Sequence, residues 1–296
     1  MIYQLSFRGP GGAVKPGALS VFKPAGVQLA NDQALVGNEQ VTFLIHGFNV
    51  DNQAGIQSLS KLAEELSGNI PGAIVFVLWP GDSPIGPLSY SFSEGEQAND
   101  TALELARFIE SHVSRTIPVN FVAHSLGCRV ALETTRRLHH MANGRKSVYP
   151  VKQVCLLAAA VDDDSLSIPS QYKPAAERAE RVVVLSSVAD DVLRLIYPLG
   201  DLIQAFVFFW KESFGLALGY HGPKAHGDLS TFYEEEEDEV AVQEVAANVT
   251  AVAIDKSFGV NHGDYLPSAN ISDKQKAAAA FTKEALAGAE RLKYQI

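Results

Sequence analysis

A hydroxyl, a carboxylate and an imidazole, each set at the end of an apolar run, are the residues best placed to do chemistry in this chain. Ser125 lies in A-H-S-L-G, between the strand-like run 119–123 (VNFVA) and a helix-like stretch at 126–140. A serine on so sharp a strand-to-helix turn has its hydroxyl pushed clear of the backbone. The small flanks Ala123 and Gly127 relieve crowding there, and the following helix aims N–H groups at the space above. The pattern is G-x-S-x-G with Ala123 in place of the first glycine. A serine alone is a weak nucleophile, so a base and an orienting acid are required. Asp190 follows VVVLSS in S-V-A-D-D-V-L, and His262 stands in V-N-H-G-D-Y-L. Asp191 and the run Asp162, Asp163 and Asp164 are alternative acids. Gly47, after the run 41–45 (VTFLI), lets the chain turn so that the N–H of Phe48 can join that of Leu126 as a two-donor oxyanion hole.

Other polar residues read less sharply. His46 and His124 flank the expected site; His46 is expected to shape its turn, and His124 to point into neighbouring loops or pack beside the nucleophile. His139, His140, His221 and His226 lack carboxylate or cysteine company at metal-ligand spacing, so loop or surface roles are expected and no metal is called for. The early RGPGG is too short for a phosphate loop, and G-x-x-x-x-G-K-[ST] is absent from the sequence. EEEEDE at 234–239 reads as a solvated loop or helix start.

The elements that must position these residues follow from hydrophobic rhythm. Apolar strands are expected at 41–45, 73–79, 119–123, 154–160, 182–187 and 249–254. Amphipathic helices are expected at 54–66, 94–113 and 126–140, with a closing helix over 273–292 behind Ser272 as N-cap. Continuous apolar strands alternating with helices imply an α/β fold, its mostly parallel sheet covered on both faces. Ligands in such sheets collect outside the carboxyl ends of the strands, where the reactive residues stand. Residues 1–40, rich in Gly and Pro with short β-prone runs, read as an antiparallel edge.

Composition narrows the classes of partner. The 296 residues are 47% hydrophobic and 20% charged, with a formal net charge of -10 and a pI near 5.3. That balance argues against nucleic-acid phosphates and anionic membranes as partners. Neither a secretory signal nor an integral membrane segment is read in the sequence, so cytoplasmic residence is expected. Cys128 and Cys155 sit in apolar surroundings and read as buried free thiols. Oligomeric state stays open.

Together HGFNV, AHSLGCRV, SSVADDVL and NHGDYL resemble the serine α/β-hydrolases, and within them a bacterial family whose function is largely uncharacterised. The resemblance covers roughly residues 41–270. It implies Ser125 as nucleophile, Asp190 as acid, His262 as base, and the N–H groups of Phe48 and Leu126 as oxyanion donors. The whole chain, 1–296, reads as one hydrolase domain, and the roughly seventy residues between Asp190 and His262, more than a strand and one helix need, read as carrying a cap-like insert at about 195–245. The expected activity is hydrolysis of a carboxylic ester, lipid-like or acyl esters included, with no cofactor. Acyl transfer through the same triad, or binding without catalysis, are the alternatives. Within the insert, the apolar run around Phe206, Phe209 and Trp210 reads either as a core helix packed on the sheet or as a cap whose aromatic face is the apolar wall for a small ester or lipid-like substrate. A serine rather than an aspartate at the nucleophile position disfavours haloalkane dehalogenation.

Overall fold

A computed structural model describes residues 1–23, 26–29, 34–82, 96–140, 149–195, 217–226, 243–268 and 270–288. Among the described residues nine strands form one sheet: β1 (Ile2–Arg8), β2 (Val14–Lys23), β3 (Gly26–Leu29), β4 (Val41–Ile45), β5 (Ala73–Leu78), β6 (Val119–His124), β7 (Val151–Leu157), β8 (Arg181–Ser187) and β9 (Val249–Ile254). Their spatial order is β3-β2-β1-β5-β4-β6-β7-β8-β9. From β1 through β9 every neighbouring pair is parallel; β2 runs antiparallel to β1 and β3 antiparallel to β2. The N-terminal edge is thus antiparallel only beyond β1, which pairs parallel with β5 from Ile2↔Ile74 to Ser6↔Leu78.

Seven α-helices are described: α1 (Asn52–Glu65), α2 (Ala98–His112), α3 (Gly127–His140), α4 (Lys173–Arg178), α5 (Asp191–Leu195), α6 (Leu218–His221) and α7 (Asp273–Ala287). Alternate strand residues divide between two cores. Phe43, Ile45, Phe121 and Ala123 face α2 and α3, joining Ala102, Leu105, Cys128 and Leu132. Leu44 and Val122 face α1 and α7, joining Leu59, Leu62, Ala278 and Ala285. Strands β4, β5 and β6 are buried along their whole length, which is why they read as unbroken apolar runs rather than as alternation. Each large apolar side chain so covered contributes roughly 1.5–3 kcal/mol.

Several expected boundaries shift, in two elements for reasons the backbone shows. The strand expected at 154–160 occupies Val151–Leu157, because Ala158 turns out of the ladder at φ 45 while the apolar run continues past it. The closing helix ends at Ala287 rather than at 292: Gly288 adopts φ 76 and its N–H caps the carbonyls of Ala285 and Glu284. Ser272 caps its start as expected, accepting from Gln275 N–H.

One feature of the topology locates the site. From β4 the chain leaves through α1 on one face, and from β6 through α3 on the other. The crevice between the carboxyl ends of β4 and β6 lies at such a reversal, where open α/β sheets hold ligands. His46 stands at the mouth of β4, and Ser125 directly follows β6.

Candidate active site

Ser125 has φ 55, one of three described non-glycine residues at positive φ. The left-handed conformation costs an L-residue on the order of 1–2 kcal/mol. The turn is held by the neighbouring strand: Ser125 N–H donates to Leu157 O at 2.9 Å, and Ser125 O accepts from Cys128 N–H at 3.0 Å and Ala160 N–H at 3.3 Å. Close approach of two segments explains the adjacent glycines. A Cβ at Gly127 would stand 2.4 Å from His46 O, and one at Gly47 would stand 2.8 Å from Ser125 Cβ. Ala123 lies inside β6, where its methyl is accommodated in the core at 1% exposure. The glycine this turn cannot replace is Gly127.

His262 opens a 3-10 turn after β9, and Asp190 lies between β8 and α5. The imidazole joins two partners: Nε2 is 2.8 Å from Ser125 Oγ, and Nδ1 is 2.8 Å from Asp190 Oδ2. A carboxylate accepts only, so in the neutral imidazole Nδ1 carries the hydrogen and Nε2 accepts a hydrogen bond from the Ser125 hydroxyl. Asp190 is fully buried; its second oxygen accepts Leu193 N–H at 2.9 Å. The alternative acids are engaged elsewhere. Asp191 is exposed and faces Arg194 at 3.6 Å. Asp163 pairs with Lys224 at 3.3 Å, and Asp164 with His226 Nδ1 at 2.7 Å. Burial pushes the Asp163 carboxyl up to about 6. His226 thus has carboxylate company that the sequence did not reveal.

The loop HGFNV is fixed by the exit of β5. Trp79 N–H can only donate, so His46 Nε2, 3.3 Å away, is its acceptor. His46 Nδ1 must then be protonated, and it donates to Gly47 O at 2.9 Å. The Trp79 indole donates to His46 O at 2.8 Å, and the two rings stack with an interplanar angle of 14°. Asn49 N–H donates to Gly81 O at 2.8 Å; Arg8 bonds both Asp82 and Val50 O. In a planar trans peptide C=O and N–H point opposite ways, so anchoring Gly47 O fixes the direction of Phe48 N–H. Burial pushes the His46 imidazole down to about 4, which keeps it neutral.

Of the expected site residues, Ser125, Asp190 and His262 come together, Leu126 is fully buried directly after the serine, and Phe48 is half-buried on the loop beside it. Phe206, Phe209 and Trp210 lie outside the described residues, as do EEEEDE and most of the insert. Trp79 and Asn261 were missed. Asn261 Oδ1 accepts from His262 N–H at 2.7 Å and Asp191 N–H at 3.2 Å, while Asp264 Oδ2 accepts Asn261 N–H at 2.9 Å. The spacing N-x-x-D is a capping signature that could have exposed it. Cys128 is buried beneath the turn, its thiol donating to Ala123 O at 3.2 Å, and burial raises its pKa well above the ordinary value. It is no competing nucleophile.

Among the described residues no helix is long and apolar enough to cross a membrane. Several solved structures are similar over most of the chain. A hyperthermophilic esterase from the archaeon Pyrobaculum calidifontis matches at 13% identity and TM-score 0.45, over 92% of this chain and 81% of that one. TT1662 from Thermus thermophilus matches at 13% identity and TM-score 0.44, over 94% of both. A carboxylesterase from Mesorhizobium loti matches at 16% identity and TM-score 0.38, over 84% and 89%. No curated protein matches the sequence. The model of a family described as alpha/beta hydrolase of unknown function (DUF900) matches residues 28–201, more than half of the chain, and the protein belongs to that family.

Proposed function

We propose that the protein is a serine hydrolase that cleaves a carboxylic ester through an acyl-serine intermediate. The observation that carries this reading is the continuous hydrogen-bonded run from Ser125 Oγ through His262 to Asp190, at 2.8 Å in each step. His262 Nε2 takes the Ser125 proton as Oγ attacks the ester carbonyl, then returns it to the leaving alcohol. In the second half it takes a proton from water, which attacks the acyl carbon, and returns that proton to Ser125 Oγ as the acyl–oxygen bond breaks and the carboxylic acid departs. Asp190 holds the Nδ1–H tautomer and stabilises the imidazolium that forms in each half. The N–H groups of Phe48 and Leu126 receive the tetrahedral oxyanion. The anchored Gly47 carbonyl and the close approach of Gly47 to Ser125 support Phe48 in that role.

The same reading takes residues 1–296 as one hydrolase domain with a cap-like insert at about 195–245. Its segment 217–226 is laid along the turn after β7: Leu218 N–H donates to Val161 O at 2.7 Å and Gly219 N–H to Ala159 O at 2.9 Å. A fluorophosphonate probe and p-nitrophenyl esters of increasing chain length test the reading. Wild type is expected to label and turn over, and Ser125→Ala to lose labelling and fall at least about 10⁴-fold in kcat. Unchanged turnover in Ser125→Ala would remove the mechanism.

A further inference from the structure

His124 directly precedes the nucleophile, yet its ring bonds to the base. Its Nε2 is 2.8 Å from the backbone oxygen of His262. A carbonyl can only accept, so Nε2 carries the hydrogen and His124 is the opposite tautomer to His46. Its Nδ1 is a bare, buried lone pair with no partner among the described residues. That atom lies against Gly47, where a Cβ would stand 3.1 Å from it. His124 is therefore no second base: its basic nitrogen faces backbone, while Ser125 Oγ is bonded to His262.

The bond has a counterpart. His262 N–H is held at 2.7 Å by Asn261 Oδ1, which also receives Asp191 N–H. The backbone of the imidazole-bearing residue is thus gripped on both sides by side chains. One grip ties it to the tip of β6, the other to the chain just past Asp190. The two rings, His124 and His262, stand 4.9 Å apart between centroids. A charge on His124 would oppose the imidazolium that His262 must carry in the transition state, and burial beside His262 pushes the His124 imidazole down to about 3.

We propose that His124 is a positioning residue for the base: as a neutral strut from nucleophile strand to base loop, its Nε2–H holds the His262 carbonyl and so sets the reach of His262 Nε2 to Ser125 Oγ. This rests on the triad reading above. Displacing a reacting group by about 1 Å can cost on the order of 10²-fold in rate. Loss of the strut acts on kcat and on the pH limb of kcat/KM, leaving KM within about two-fold.

The test compares three substitutions. Gln places its amide N–H near the position of Nε2, Asn places it near Nδ1, and Phe keeps the ring without a donor. Each is assayed by p-nitrophenyl acetate turnover from pH 5 to 9, by fluorophosphonate labelling rate and by thermal melting. His124→Phe and His124→Asn are expected to lose about 10–100-fold in kcat and in labelling rate and to move the pH limb, and His124→Gln to recover most of the loss. Should His124→Phe fail to fold, the Gln–Asn pair decides. Asn equal to Gln, or rates that merely follow melting temperature with the pH limb unmoved, would overturn the proposal. Wild type that labels normally while the variants match it overturns the strut alone; wild type that neither labels nor turns over removes the triad reading with it.

Discussion

Two buried histidines flank Ser125, the proposed nucleophile, and they are held in opposite ways. His46, on the loop after β4, has both ring nitrogens engaged, giving a proton to Gly47 O and receiving one from Trp79 N–H. His124, at the end of β6, has one nitrogen engaged and one bare. The first is locked to its own loop and to the exit of the adjacent strand. The second reaches to a loop 138 positions away in sequence. The difference teaches how rigidity is divided: the proposed oxyanion side is braced by the exit of the adjacent strand β5, whereas the proposed acid–base side joins residues that follow three different strands, β6, β8 and β9.

The largest break in that comparison is expected on the acid. Asp190→Asn keeps the shape but removes the acceptor that fixes the His262 tautomer, and kcat is expected to fall about 10⁴-fold. Asp191→Asn, on the exposed neighbour, is expected to stay within about two-fold. Steady-state turnover of both on one p-nitrophenyl ester decides, and equal losses would erase the distinction between the two acids.

A smaller loss is expected on the oxyanion side. His46→Leu frees the Gly47 carbonyl and with it the direction of Phe48 N–H, at an expected cost of about 10²–10³ in kcat. His46→Asn keeps a donor near the Nδ1 position and is expected to recover most of this. A His46→Leu enzyme within three-fold of wild type would mean the loop is braced by Trp79, Arg8 and Gly81 alone.

The smallest effect is on stability. The unfolded chain protonates its histidines near 6.5, whereas burial holds His46 near 4 and His124 near 3 in the fold. Their contribution is complete above about pH 6.5 and is lost as pH falls toward those folded values. Asp163 works in reverse, because its folded carboxyl holds a proton up to about pH 6 while the unfolded one lets go near 3.9. Between about pH 4 and 6 the unfolded chain therefore binds about one proton more from these three groups, worth ~1.4 kcal/mol per pH unit. Melting temperature is expected to fall from pH 7 to 4.5, and more steeply in Asp163→Asn. A flat profile in both would show that the two imidazoles titrate freely.

Much of this was legible beforehand, and the reason is locality. The buried strands β4, β5 and β6 announce themselves by composition, and A-H-S-L-G by the crowding that a sharp turn imposes. His262 and Asp190 could be marked as candidates because each follows a strand. What stayed hidden depends on neighbours in space. Val151–Gln153 joined β7 despite the polar Lys152 and Gln153, because Val119 and Asn120 of β6 lay alongside to receive them. Asp191 could be set aside only once Asp190 was seen buried under His262. The grip of His124 on His262 has no pattern in the sequence, since the order of strands in the sheet brings the two together, whereas that of the adjacent Asn261 shows only as a cap spacing.

The torsion angle of Ser125 carries one consequence. Its backbone occupies the mirror-image well that suits glycine best, so the most comfortable residue there is one with no hydroxyl at all. Sturdiness alone would favour glycine at this position. A side chain held there at a conformational cost accords with the proposed attack by its oxygen, a sign carried by a torsion angle rather than by any bound molecule.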